Sequence, residues 1–166
     1  MLASGQSGPA QKAVENKVAA ENAACAALPE PYDVTEQIGY LLRRAYHRHL
    51  AIFQEHIGDP QMTAVQFATL CALARQGQAS QKDLIAATAI DQGTIRGILE
   101  RLHARGCITL DKDPQDARKV LVAITPAGRA LLDEMIPRAR DITHRTLAEL
   151  NPAEQVAAIF VLRKMF

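Results

Sequence analysis

Two stretches of this chain carry side chains suited to reading a nucleic-acid duplex. From Gln92 to Arg105 the sequence QGTIRGILERLHAR has a helical period. Ile95, Ile98, Leu99 and Leu102 share one face, while Gln92, Thr94, Arg96, Glu100, Arg101 and Arg105 make up the solvent side. Glutamine can pair with adenine and arginine with guanine in a major groove, and a helix N-terminus favours a phosphate. Gly93 and Gly97 each cost about 1 kcal/mol against alanine inside a helix, and close approach of the helix backbone to the groove is a reason for them. The second stretch, 113–119 (DPQDARK), is a polar tip between two apolar runs. Asp116, two residues before Arg118, can pair with it and fix the direction of its guanidinium, and an arginine so held fits a narrow minor groove.

A third stretch suits a small molecule. Residues 40–49 (YLLRRAYHRH) bring together two tyrosines, three arginines and two histidines. His49 on an apolar stripe reads first as a satisfied core or interface residue. With Arg43 beside Tyr40 and Tyr46, it can also receive a carboxylate and an aromatic ring. His47, His49 and His56 share a helix, but no second cluster is aligned with them, so no metal and no cofactor is expected, and metal sensing is the weaker alternative. Cys25, Cys71 and Cys107 are far apart with no CxxC, and they read as small hydrophobes rather than a disulfide framework, a zinc knuckle or a redox sensor. No Ser-His-Asp order, phosphate loop or carboxylate pair supports catalysis, so no catalytic residue is assigned and an enzyme is not expected.

The elements that must position these groups follow from composition and punctuation. With 166 residues, 48% hydrophobic but only 4% aromatic, the chain suits a helical domain with an appendage better than a sandwich or barrel. Net charge is +1; within residues 78–129 eight Lys/Arg face six acids, modest for a DNA reader unless a dimer doubles it. No apolar run reaches the roughly 20 residues of a membrane span, and the first residues lack the pattern of a secretory signal, so a cytoplasmic protein is expected. Residues 1–31 read as a tail, part helical at most. Asp33 with Glu36 predicts a capping box opening a helix over 34–57, stopped by Gly58-Asp59-Pro60. Thr63 with Gln66 opens a second helix to about Arg75, and Ser80 with Asp83 a third that closes near Thr88. Asp91 caps the fourth, 92–105, ended by Gly106. Strands over 107–110 and 119–124 form a hairpin. Thr125-Pro126 starts a helix to about Leu150, bent at Pro137, and Asn151-Pro152 starts the last, 153–166.

The fold class is therefore mostly α: a winged helix-turn-helix over 63–125, with dimerisation helices over 32–62 and 126–166. The last helix is apolar on most sides, which marks an interface, and a two-fold homodimer sets its reading helices about 34 Å apart on a pseudo-palindromic DNA operator. The candidate DNA contacts are Ser80, Gln81, Lys82, Asp91, Gln92, Thr94, Arg96, Arg101, Asp116, Arg118 and Lys119. A rival from another class is a winged-helix module whose wing and fourth helix bind a protein.

Over about residues 33–166 the chain resembles the MarR family of transcriptional regulators. The resemblance is carried by 92–106 (QGTIRGILERLHARG), 113–119 (DPQDARK) and 124–128 (ITPAG). It implies a dimeric winged-helix repressor or activator under small-ligand control, with the fourth helix in the major groove and Arg118 as the wing residue. Gly97 stands where relatives often carry a polar or basic residue, a departure that bears on base preference. Residues 32–49 and 89–97 are similar to the nicotinate-catabolism repressors within that family. That narrower resemblance implies a small aromatic carboxylic acid, 6-hydroxynicotinate, as effector.

Overall fold

The computed structural model describes residues 31–165, apart from Gln115, Ala117 and Arg118. The expected tail up to residue 30, with Cys25, and the terminal Phe166 lie outside the described residues, as does the wing arginine Arg118. The chain divides into two compact units, one ending at Leu42 and one starting at Arg43.

In the first unit the predicted opening of the first helix is corrected. The Asp33 carboxylate accepts from both the amide and the hydroxyl of Thr35, at 2.8 and 2.6 Å, and this tightens Val34–Glu36 into a 3-10 turn. Gln37 is then extended (φ −82°, ψ 138°), so α1 begins at Ile38 and runs to His56. An Asp-Thr turn two residues long has taken the place of the Asp33/Glu36 box.

The second unit follows the predicted order closely. The helices are α2 (Ala64–Gln76), α3 (Gln81–Thr88), α4 (Gln92–Ala104), α5 (Pro126–Thr146) and α6 (Pro152–Arg163). Thr63/Gln66, Ser80/Asp83 and Asn151/Glu154 each close a reciprocal capping box, which satisfies amides that a helix start leaves without partners. α4 ends in a Schellman motif: the Cys107 amide bonds Leu102 O at 3.0 Å and the Gly106 amide bonds His103 O at 2.8 Å, with Gly106 at φ +68°. Ala89, at φ +54°, makes the left-handed turn between α3 and α4.

Three strands form one antiparallel sheet in the order β1-β3-β2, from β1 (Gln78–Ser80), β2 (Ile108–Lys112) and β3 (Val120–Ile124). The hairpin strands start one residue later than predicted, and β1 is an addition. Its pairing with β3, Gln78 opposite Ala123 through Ser80 opposite Leu121, inserts the segment before α3 into the wing. The hairpin returns to α5 through the 124–128 sequence. Thr125 Oγ1 donates to Gly106 O at 2.7 Å and accepts from the Gly128 amide at 3.0 Å, joining the end of α4 to the start of α5. A Cβ on Gly128 would lie 2.1 Å from Cys107 O, so only glycine lets α5 start this close to β2.

Leu70, Leu73, Leu84, Ile95, Ile98, Leu102, Ile108, Val122 and Leu132 are fully enclosed, and burying each such side chain is worth about 1.5–3 kcal/mol. α5 ends at Thr146 rather than near Leu150, with Pro137 inside it, and α6 ends at Arg163. Among the described residues no helix is long and apolar enough to cross a membrane.

Candidate nucleic-acid interface

The expected inward face of α4 is buried in full: Ile95, Ile98, Leu99 and Leu102 pack into the core. That burial turns Gln92, Thr94, Arg96 and Arg101 outward. Asp91 caps the helix by accepting from the Thr94 amide at 2.9 Å; these bonds, the largest influence on its carboxyl, hold it below the usual carboxylate range. The helix start therefore carries one fixed anion, with the Gln92 and Thr94 side chains exposed beside it. Arg96 pairs with Glu100 one turn on at 3.0 Å, yet its side chain stays 81% exposed, so the pair is screened by water and easily exchanged for another anion. A methyl on Gly97 would stand 3.6 Å from Arg101 Nη2, an ordinary contact. Packing therefore does not demand glycine at 97.

Ser80 closes the box with Asp83, Gln81 is half-buried and Lys82 is exposed at the opening turn of α3. Across from it stands the wing. A groove of about 530 Å³ runs between Ser80–Asp83 and the wing residues Asp113, Lys119, Val120 and Leu121. The Asp83 carboxyl is pulled down chiefly by hydrogen bonds from Ser80, with Lys82 and Lys119 adding positive charge. At the wing tip the Asp113 amide bonds Lys119 O at 3.0 Å, the Lys119 amide bonds Asp116 O at 2.8 Å, and Lys119 Nζ lies 3.8 Å from the Asp116 carboxylate. A smaller cleft, about 310 Å³, separates α4 from the wing between Arg96, Glu100, Leu110 and Val120. The exposed α4 face, the opening of α3 and the wing thus lie around two clefts that share Gln81 and Val120 in their walls, each set by buried backs and capped ends.

Arg105 does not belong to that face. It was expected among the solvent-side cations, but its side chain is only 25% exposed and its Nη2 donates to Asp59 Oδ2 in the turn after α1. The signal lay in the helical period itself. Arg105 falls seven residues after Ile98 and three after Leu102, on the buried stripe, where a cation asks for a buried partner. Asp59, read only as part of a helix stop, is that partner. Burial pushes its carboxyl up, but hydrogen bonds from Arg105 and the Gln61 amide, with the guanidinium charge, leave it below the ordinary range.

The effector candidates are spread along α1. Tyr40, in the first unit, is half-buried. In the second unit, Arg43 and Tyr46 are exposed, while His49 is half-buried six residues after Arg43, about 120° around the helix. His49 Nδ1 lies 3.0 Å from Thr146 Oγ1, which itself donates to Ile142 O, so the histidine ring is the donor. Its ring stands 6.4 Å from that of Phe53, which meets Phe67 at 5.8 Å; burial lowers the imidazole pKa. This is the satisfied histidine that the apolar stripe suggests. Burial likewise raises the thiols of Cys71 and Cys107, leaving them protonated packing groups.

α1 and α6 leave apolar surface uncovered. Ile38, Leu41, Leu42 and Tyr46 are exposed on α1, as are Val156, Ile159, Phe160, Val161 and Leu162 on α6, which among the described residues has no buried side chain.

Comparison with known proteins extends this geometry. A MarR family model matches residues 61–119, from the turn before α2 to the residue before β3. The HTH-type transcriptional repressor NicR of Pseudomonas putida is 58% identical over 135 residues, 81% of this chain and 85% of its own. Bordetella bronchiseptica BpsR, whose DNA binding is regulated by 6-hydroxynicotinic acid, superposes with a TM-score of 0.77 at 57% identity, covering 82% of this chain and 97% of BpsR. The Streptomyces coelicolor regulator PcaV, solved with its natural ligand, superposes at 0.75 with 26% identity, covering 82% of this chain and 96% of PcaV.

Proposed function

The chain belongs to the MarR family of transcriptional regulators, and from that premise we propose that it represses transcription as a homodimer on a pseudo-palindromic operator, with 6-hydroxynicotinate setting its affinity. The observation that carries the reading is an outward-facing, capped α4 beside a wing, in a chain 57% identical over 82% of its length to a regulator whose DNA binding responds to that acid.

In this reading residues 63–125 are the DNA-binding part, and 32–62 with 126–166 the dimerisation helices. Gln92, Thr94, Arg96 and Arg101 face base edges. Ser80, Gln81, Lys82 and Asp91 line the approach, while Asp116, Arg118 and Lys119 form the wing contact. Gly97, which packing does not require, lets the α4 backbone approach the groove. The exposed apolar faces of α1 and α6 are what a second copy covers, since patches of this kind in water favour association. Arg43, exposed on α1 with Tyr46 one turn on, takes the carboxylate of the effector, and Tyr40 and His49 are the further candidates along the same helix. A bound acid changes operator affinity to the extent that it prefers one spacing of the reading helices over another. The protein acts in the cytoplasm and catalyses no reaction.

Selection of an operator from a random duplex pool, followed by binding titrations over a salt series with and without 6-hydroxynicotinate, tests the whole reading. Expected are a steep loss of affinity with salt and a shift on adding the acid. A flat salt response, or no duplex enriched, would sink it. Calorimetry on Arg43→Ala tests the effector site separately, and unchanged 6-hydroxynicotinate affinity removes Arg43 from it.

A further inference from the structure

We propose that Arg105 is a positioning residue for DNA recognition: by gripping Asp59 it ties the last turn of α4 to the turn that ends α1, and so sets the angle at which the reading helix meets the duplex. The inference rests on α4 being the groove helix. Arg105 is the C-cap of α4, and its partner lies 46 residues earlier in the chain, in the turn that follows His56.

That turn is held from several sides. Asp59 Oδ1 accepts from the Gln61 amide at 2.8 Å, and the Asp59 carbonyl accepts from the Met62 amide at 3.0 Å. Gln54 Nε2, from the last turns of α1, donates to Pro60 O at 2.9 Å. The Arg138 guanidinium of α5 lies over Gly58, whose φ of +86° and lack of a side chain leave room for it; a Cβ there would stand 1.4 Å from Arg138 Nη1. The Arg105–Asp59 pair is mostly enclosed, with side chains 25% and 18% exposed. Arg105 Nη1 is buried with no hydrogen-bond partner among the described residues. A surface arginine would swing out to water rather than leave a donor unmet, so packing holds this guanidinium in place. Enclosed ion pairs add little net stability, but removing one member strands the other, which makes them better at fixing geometry than at stabilising a fold. A guanidinium held this way is committed to the turn and does not reach a phosphate.

The sign of one substitution separates this role from direct contact. If Arg105 touched DNA, Asp59→Asn would remove a competing negative charge and strengthen binding. If it positions α4, the same change weakens operator binding. Full-length wild type, Asp59→Asn, Arg105→Met and the exchanged pair Asp59→Arg/Arg105→Asp are titrated by fluorescence anisotropy with the selected operator and with an unrelated duplex across a salt series. Positioning predicts that each single change weakens the operator complex about tenfold or more while the unrelated duplex changes by under about threefold, with the slope of log K against log salt unchanged and part of the loss recovered in the exchanged pair. Tighter binding by Asp59→Asn, or a slope reduced by about one in Arg105→Met, overturns it in favour of a phosphate contact. Hydrogen exchange at the Gly106 and Cys107 amides reads the tie without DNA: faster exchange in the near-isosteric Asp59→Asn supports it, and unchanged exchange overturns it. If wild type prefers no duplex, the groove-helix reading fails by itself, and the exchange result still decides whether the tie exists.

Discussion

The segment from Thr63 to Ile124 and the helix α6 use hydrophobic residues in opposite ways. In the first, the large apolar side chains of α2, α3, α4 and the strands are enclosed or partly so, Val120 apart, the helix starts are capped, and the wing is sewn to β1. In the second, α6 opens with an equally good cap at Asn151/Glu154 and then turns Val156, Phe160 and Val161 into water, Phe160 at 60% exposure. Local signals are satisfied in both, so capping does not separate them. What separates them is whether one copy of the chain supplies the covering surface. The lesson is that the segment carrying α4 and the wing closes its own core within a single chain, whereas α6 keeps an apolar face that no described residue covers.

That contrast can be broken in order of expected effect. Phe160→Asp places a charge on the uncovered face and should lower specific operator affinity by at least about 100-fold, roughly 2.7 kcal/mol, with sedimentation showing a monomer whose circular dichroism is preserved. A dimer that persists would mean α6 is not the associating surface. Leu102→Ala opens a hole inside the complete half and should cost about 2–5 kcal/mol in urea unfolding; a smaller loss would say that the head is looser than its burial implies. Arg118→Ala, in the predicted wing, should weaken operator binding by about 10-fold, roughly 1.4 kcal/mol, while leaving the unfolding midpoint in place. Operator retention equal to wild type would remove the wing from recognition.

The smallest effect is a pH dependence that sharpens the comparison at α1. Burial makes His49 bind a proton less readily in the fold than in the unfolded chain. The stability this contributes is present above the ordinary imidazole pKa, about 6.5, and is lost as pH falls through the lowered folded value. Thermal midpoints should therefore drop on acidification more steeply in wild type than in His49→Gln; parallel curves would show that the ring is not what senses the proton.

What could be read from the sequence alone follows the range of each interaction. Caps three residues long, the buried stripe of α4 and the Thr125-Pro126 start are local, and they appear where the residues place them. β1 has one apolar side chain, Ala79, and no period of its own; it exists because β3 pairs with it some forty residues later. The Asp59–Arg105 pair is long-range too, and the sequence puts Arg105 on the solvent side of α4, where its burial against Asp59 corrects it. At Asp33 two local bonds competed, and the shorter loop through Thr35 prevailed over Glu36. The candidate DNA face was legible because exposure is the complement of a clear buried stripe. The effector candidates were legible only as types, since successive steps of three along a helix drift around it and leave Arg43 and His49 facing different ways.

The central place of β3 in the sheet has a consequence for how such a molecule could be switched. Because its two edges are taken, one by β2 and the other by β1 just ahead of α3, the hairpin is welded to the helical pair and is not a free flap. Among the described residues the hairpin strands are tied on both sides, and a change in the angle of the wing has to carry β1 and the start of α3 with it.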